Sequence, residues 1–251
     1  MDKNIKATTL GSLHQDLFFN KKVSISFDAL EYDDTAEYKV LVQIEPPSIR
    51  EDIINNLINY NNNFDLILTW HPQVLSKCKN SILFPFGSCL INKEDRKIHS
   101  KIKKLSIISS YKRKTKGHKL RHSLIENKLI NMDVFGRGYQ PVENKITALK
   151  DYMYSLIIEN DPTENWFTEK IIDCLITGTV PVYWGCDNIG NYFNTKGFIR
   201  FKSIKEFEET IPQLTKETYD SMLPYIQENF NKALMYSDFW DRIETKIKNE
   251  L

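Results

Sequence analysis

The chain has 251 residues, with 34 lysines and arginines against 33 aspartates and glutamates, and is 41% hydrophobic and 12% aromatic. That composition can bury a sizeable core and excludes a disordered chain, while a net charge of +1 gives no global bias toward nucleic acid, so any preference for phosphate must come from local clusters. Cys78, Cys89, Cys174 and Cys186 lack metal-type pairing, the opening MDKNIKATTL lacks a signal-peptide core, and no apolar run reaches the roughly 20 residues that span a bilayer; a reduced, cytoplasmic protein without a transmembrane segment, touching membranes peripherally at most, is expected.

In chain order, YKVLVQIE (38–45) reads as a strand ended by Pro46 and Pro47, and Ile49, Ile53, Ile54, Leu57 and Ile58 then recur at helical spacing to Tyr60. FDLILTW (64–70) and SILFPFG (81–87) read as short, buried parallel strands. After the charged NKEDRKIHSKIKK the pattern restarts with LSIISS (105–110), a helix over 118–130, MDVFG (132–136) and YSLIIEN (154–160). A helix over 168–177 closed by Gly178, VPVYWG (180–185), GFIRF and helices over 204–214 and from 217 onward follow. Strands alternating with helices in two blocks predict an α/β architecture, two doubly wound domains facing a central cleft. Residues 1–103 form the first, 104–225 the second, and 226–251 a closing helix whose spacing at Phe239, Ile243 and Ile247 suits packing across the domains.

The most informative stretch is ENDPTENWFTEKIIDCLITGTVPVYWG, from Glu159 to Gly185. Ile171, Ile172, Cys174, Leu175 and Ile176 make this helix apolar nearly all round, hence buried, so its polar beginning needs an explanation. Thr168 suits the N-cap and Glu169 the positive end of the helix dipole, whereas Lys170 opposes that dipole by about 0.3–1 kcal/mol. Lys170 is read either as the contact of a bound anion or as a surface lysine paired with Glu169 or Asp173. Glu159 and Asn160 end the preceding strand at the carboxyl edge, where ligands of open α/β sheets bind.

The same run resembles the donor-binding signature of the family 10 glycosyltransferases, the α-1,3/1,4-fucosyltransferases: an apolar strand, F-E-N, a short loop, Y-[IVF]-T-E-K, an apolar helix and [VI]-P-[VI]-x-x-G. Glu159, Asn160, Thr168, Glu169, Lys170, Gly178, Pro181 and Gly185 match position by position. Upstream, SIISSYKRKTKGHKLRHSLIENKLINMDVFGRG resembles the family's serine segment, helix arginine and D-V-x-G strand, and IEPPS (44–48) and LTWHPQVLSKCKNSILFPFGS resemble its first-domain segments more faintly. Trp166 departs from the family's usual tyrosine, and Pro46 from its serine.

The resemblance implies a GT-B-like fold and an inverting transfer, most simply of fucose from GDP-fucose to a glycan hydroxyl, with no cofactor and no divalent metal. The donor would be bound by Arg121, Glu159, Asn160, Trp166, Glu169 and Lys170. Arg121 best matches the family's phosphate-binding arginine, with Lys112, Arg113 and Lys114 as neighbouring competitors, and Glu45 matches its candidate general base. A D-x-D pair of the metal-dependent architecture is missing, the acids at 33 and 34 being adjacent. Rival readings are a transferase using another nucleotide-sugar, a catalytically silent nucleotide- or sugar-binding relative, and, from KIHSKIKKLSIISSYKRKTKGHKLRH, a nucleic-acid-binding module. The last is disfavoured because these charges straddle an apolar strand. Plainer roles suit His71, a turn residue before Pro72, and Tyr183 and Trp184, core aromatics of a central strand.

Overall fold

The computed structural model describes residues 5–11, 13 and 15–251. Two units emerge, one of Met1–Phe86, Glu164–Trp166 and Phe239–Leu251, the other of Gly87–Thr163 and Phe167–Asp238.

The first unit contains β1 (Ile5–Lys6), β2 (Thr8–Gly11), β3 (Phe18–Phe19), β4 (Val23–Phe27), β5 (Tyr38–Val42), α1 (Ile53–Tyr60), β6 (Leu66–Thr69), α2 (Pro72–Lys77) and β7 (Ser81–Leu83). β1 and β3 pair antiparallel, and the main sheet is parallel in the order β2-β4-β5-β6-β7. The two-residue period of a strand sorts its side chains: Leu41 and Ile67 pack with Ile53, Leu57 and Val74 of the two helices, whereas Val40, Val42 and Leu68 pack with Phe239, Ile243 and Ile247. The latter three belong to the C-terminal helix, Phe239–Glu250. Placed four residues apart on one face, each contributes about 1.5–3 kcal/mol by burial. Of the segment 226–251 expected as one closing helix, residues 239–250 cover the first sheet, whose strand order never reverses, while 226–234 belong to a separate helix of the second unit. The predicted helix from Ile49 starts later because Ile49 and Arg50 both donate to the Pro46 carbonyl and close a turn first.

The second unit contains β8 (Lys103–Ile108), α3 (Lys116–Asn127), β9 (Asp133–Phe135), β10 (Tyr152–Ile158), α4 (Glu169–Leu175), β11 (Val180–Trp184), β12 (Ile199–Arg200), α5 (Ile204–Thr210), α6 (Lys216–Ser221) and α7 (Leu223–Leu234). Its sheet is parallel in the order β12-β11-β10-β8-β9, so the direction of winding reverses between β10 and β8. Leu156 and Ile158 face Leu124 and Phe207 on one side, and Ile157 faces Ile171 and Ile172 of α4 on the other. This is the doubly wound arrangement, in which ligands lie beyond the carboxyl ends of the strands that flank the reversal.

The division at Phe86–Gly87 comes ahead of the boundary expected after residue 103. The reason is what the charged 87–103 segment does. Ile91 packs with Ile146, Leu149 and Ile176, and the Lys101 ammonium donates to the carbonyls of Leu149, Lys150 and Thr177 and to the Thr179 hydroxyl, at 2.8–3.3 Å. A lysine with four oxygen acceptors pins this segment to the second sheet, a use that its charge pattern does not reveal.

Candidate functional site

At the winding reversal of the second unit lies a cavity of about 310 Å³, bordered by Ser109 and Ser110 after β8, Arg121 of α3, Lys145, and Glu169, Lys170 and Asp173 of α4. Its back wall is Leu156, Ile157 and Ile158 at the end of β10, and Glu159 and Asn160 follow directly behind it. Both oxygens of the fully buried Glu159 carboxylate are engaged: Thr168 N–H and Thr168 Oγ1 donate to it at 2.9 and 2.8 Å, and Lys170 Nζ lies 3.5 Å away. Glu159 therefore anchors the first turn of α4. The approach is close on two further sides. A Cβ on Gly117 would sit 1.7 Å from the Glu159 carbonyl oxygen, and one on Gly185 would sit 2.7 Å from Glu159 Cγ. Only glycine allows either backbone so near.

Arg121 is 5% exposed. Its Nε donates to the Ile158 carbonyl at 3.1 Å and its Nη2 to Asn160 Oδ1 at 2.8 Å, both neutral acceptors. Burial pulls its pKa down, and the nearby Glu159 and Glu169 carboxylates offset part of that cost without bonding the guanidinium, which leaves it without a directly bonded anion. One turn before it, His118 closes the N-terminus of α3: Thr115 N–H donates to its Nδ1 at 3.2 Å while His118 N–H donates to Thr115 Oγ1. Burial, then the charges of Arg121, Lys112 and Lys170, pull the imidazole down to about 4, so His118 is neutral at pH 7 with its proton on Nε2.

On α4, Lys170 reaches Thr168 Oγ1 at 3.0 Å, Glu169 at 3.4 Å and Glu159 at 3.5 Å. It pairs with Glu169, which borders the cavity with it, and with the buried Glu159 behind. Lys145 lies 3.3 Å from Glu169 and 3.2 Å from Asp173. Burial works against the charge of Glu169, but Lys170 and Lys145 outweigh it and hold the carboxyl well below the usual range. Burial likewise opposes the charge of Lys145, and Glu169 and Asp173 reverse the effect. Asp173, nearly inaccessible, is pushed up by burial despite Lys145 and a 2.7 Å bond from Leu90 N–H. Among the described residues no three His, Cys, Asp or Glu side chains group as a metal site, and the cations bordering this cavity are Arg121, Arg137, Lys145 and Lys170.

The second unit thus brings together Arg121, Glu159, Asn160, Glu169 and Lys170. Sequence reasoning missed Lys145 and His118, and offered Asp173 to Lys170, whereas in the structure it pairs with Lys145. A signal for Lys145 existed: an aspartate inside IIDCL, a helix too apolar to face water, requires a buried cation.

Two expected residues lie in the first unit. Glu45 follows β5, and its N–H donates to both Asp28 oxygens at 3.3 and 3.1 Å, beside the Ile44 N–H at 2.8 Å. Asp28 is 3% exposed with φ +51°, a left-handed conformation that asparagine and aspartate tolerate. Burial pushes its carboxyl up to about 6. Trp166, expected at the donor, is buried here against Trp70, and its indole N–H donates to the Ile44 carbonyl at 2.9 Å. His71 caps α2, accepting from Gln73 N–H, in keeping with its turn role.

Comparison with known proteins gives a consistent pattern. Residues 98–240, more than half of the chain, match the family model described as "Glycosyltransferase family 10 (fucosyltransferase) C-term". A stretch of 74 residues is 39% identical to the alpha-(1,3)-fucosyltransferase FucT of Helicobacter pylori, covering 30% of this chain and 15% of that protein. A stretch of 83 residues is 34% identical to a putative fucosyltransferase-like protein of Arabidopsis thaliana, covering 32% and 16%. The matches therefore span a small part of these relatives. Among solved structures, an alpha1,3-fucosyltransferase with GDP superposes with a TM-score of 0.56 at 19% identity, over 88% of this chain and 77% of that one. TarM superposes with a TM-score of 0.53 at 9% identity, over 91% and 54%. At such identities the likeness is one of fold, and that fold is the GT-B type expected from the sequence.

Proposed function

Because the chain belongs to glycosyltransferase family 10, the fucosyltransferases, we propose that its second unit binds GDP-fucose at the cavity between β8 and β10 and that the protein transfers fucose to a glycan hydroxyl with inversion. The observation that carries the donor site is Arg121: a buried guanidinium on the border of a cavity at the winding reversal, with neutral hydrogen-bond partners. Glu159 and Glu169 lie near but do not bond it, and a diphosphate would supply a directly bonded anion whose oxygens suit the planar fork of arginine.

The chemistry follows from charge movement. A base takes the proton of the acceptor hydroxyl, the freed oxygen attacks the anomeric carbon from the face opposite the nucleotide, and the bond to the diphosphate oxygen breaks with its electrons. Negative charge grows on the departing GDP, where Arg121 and Lys170 stabilise it. Glu169, kept ionised by Lys170 and Lys145, is suited to accept from ribose or sugar hydroxyls, and Asn160 serves as an amide partner. Glu159 supports the site by holding α4. The base is assigned to Glu45 by its match to the family pattern, and nucleotide binding is expected to be indifferent to divalent metal.

Calorimetric titration with GDP, UDP and GDP-fucose, with and without manganese, tests this reading. Saturable, metal-indifferent binding of GDP and GDP-fucose that is lost in Lys170→Ala supports it. Preference for UDP would replace the sugar donor, and absence of nucleotide binding would overturn the site.

A further inference from the structure

A second and larger cavity, of about 650 Å³, opens at the carboxyl ends of β11 and β12 in the same unit. Its wall carries Trp184, which the sequence suggested as a core aromatic. Tyr183 is indeed buried, and its hydroxyl accepts from Cys186 N–H at 3.0 Å. Trp184, on the opposite face of the strand, is half-buried, borders the cavity, and its indole N–H has no hydrogen-bond partner among the described residues.

Charges of both signs surround it. Arg200 donates to the Asp187 carbonyl at 3.0 Å, Lys202 lies 3.5 Å from the Asp187 carboxylate, and the Glu206 carboxylate accepts from Lys202 N–H at 2.9 Å. Two cations here face two carboxylates, Asp187 and Glu206, whereas four cations face Glu169 and Asp173 around the Arg121 cavity, so this cavity suits an anion less. Tyr183 and Phe201 are buried, leaving Trp184 as the aromatic face; a nucleobase also stacks on a single ring, and guanosine is therefore a competitor to be tested. A part-exposed indole that packs on the core on one side and carries an unpartnered N–H, bordered by donors and acceptors in balance, suits a neutral polyhydroxylated ring, whose C–H face stacks and whose hydroxyls both donate and accept.

We infer that this cavity is a saccharide site built on Trp184, Arg200 and Asp187. Through Gly185, which borders it and packs on Glu159, it adjoins the donor cavity. The ring could be the donor's own sugar or part of a glycan acceptor. The choice of a fucoside as probe rests on the fucosyl reading above.

Saturation-transfer NMR with methyl α-L-fucoside and with N-acetyllactosamine tests the site without nucleotide. At least one of them is expected to bind, about tenfold more weakly in Arg200→Gln, which removes a charged donor, and in Trp184→Phe, which keeps the aromatic body but not the N–H. GDP affinity should stay unchanged in both variants. Displacement of the fucoside by GDP-fucose but not by GDP identifies the donor sugar, whereas N-acetyllactosamine retained with GDP-fucose bound identifies a glycan. The inference is overturned if neither saccharide binds, if binding is indifferent to both substitutions, or if guanosine alone displaces the sugar. Saccharide binding by a protein that binds no GDP would leave this site standing and remove the nucleotide reading.

Discussion

Trp166 donates its indole N–H to the Ile44 carbonyl at 2.9 Å, while the N–H of that same residue donates to Asp28. The peptide just before Glu45 is therefore held at both ends, by residues distant in the sequence. Replacing Trp166 with phenylalanine keeps the ring against Trp70 but leaves a buried carbonyl unpaired, a loss of about 1–3 kcal/mol. Urea unfolding should register that loss, fucosyl transfer should fall with it, and GDP affinity should be kept. Weakened GDP binding at unchanged stability would instead return Trp166 to the donor, as the sequence suggested.

Asp28 gives that segment a pH dependence. Its carboxyl stands at about 6 in the fold, against roughly 3.9 for an unfolded aspartate. A raised acid favours the fold while protonated, so its contribution is fully present below about pH 4 and is lost as pH rises through 6. Asp28→Asn stays neutral throughout. The stability of the natural chain relative to this variant should therefore decline by about 1–3 kcal/mol between pH 4 and pH 7. Transfer near pH 7 should nevertheless drop in the variant, because the amide nitrogen that replaces one carboxylate oxygen cannot accept the Glu45 N–H that oxygen takes at 3.1 Å. Parallel stability curves for the two proteins would rule out a buried, titrating Asp28.

Arg121→Lys separates charge from geometry. A lysine keeps the cation but cannot bond the Ile158 carbonyl and Asn160 together while presenting a fork to a diphosphate. GDP is expected to bind about tenfold more weakly, and still more weakly to Arg121→Ala. Equal GDP affinity in calorimetry for the natural chain and Arg121→Lys would show that the anion is held elsewhere.

How much of this was legible beforehand depended on whether the signal was local. The second sheet could be read because apolar strands, a capped helix and Gly178 follow one another within short stretches, and the order of motifs around Glu159 and Lys170 carried the family pattern. The first unit resisted. Its sheet starts with β2 and β4, where threonines and serines break the continuous apolar run by which the other buried strands are recognised, and its far face is covered by a helix from the other end of the chain. Lys145 and Trp166 illustrate the same limit: each acts on a partner that only the tertiary fold brings near. The buried Asp173, by contrast, announced in sequence that some cation must come to it.

That cation, Lys145, supports the last prediction. It sits between Glu169 and Asp173 at 3.3 and 3.2 Å, with its own side chain 24% exposed. Lys145→Met preserves the aliphatic stem and removes the charge. Asp173 then keeps the Leu90 N–H and the Cys89 thiol but no cation, and an acid left in a buried place costs several kcal/mol; with water reaching this group the expected loss is about 1–3 kcal/mol. The sign with pH is set by Glu169, whose carboxyl lies below its unfolded value of roughly 4.3. A depressed acid stabilises the fold above that value and loses its contribution as pH falls through the folded one. With Lys145 gone and Lys170 alone opposing burial, the carboxyl rises, so acid unfolding should begin at higher pH in the variant. Tryptophan fluorescence followed from pH 7 to pH 2 reads this directly. An unmoved acid transition would mean that Lys170 suffices to hold Glu169 ionised and that Lys145 serves Asp173 alone.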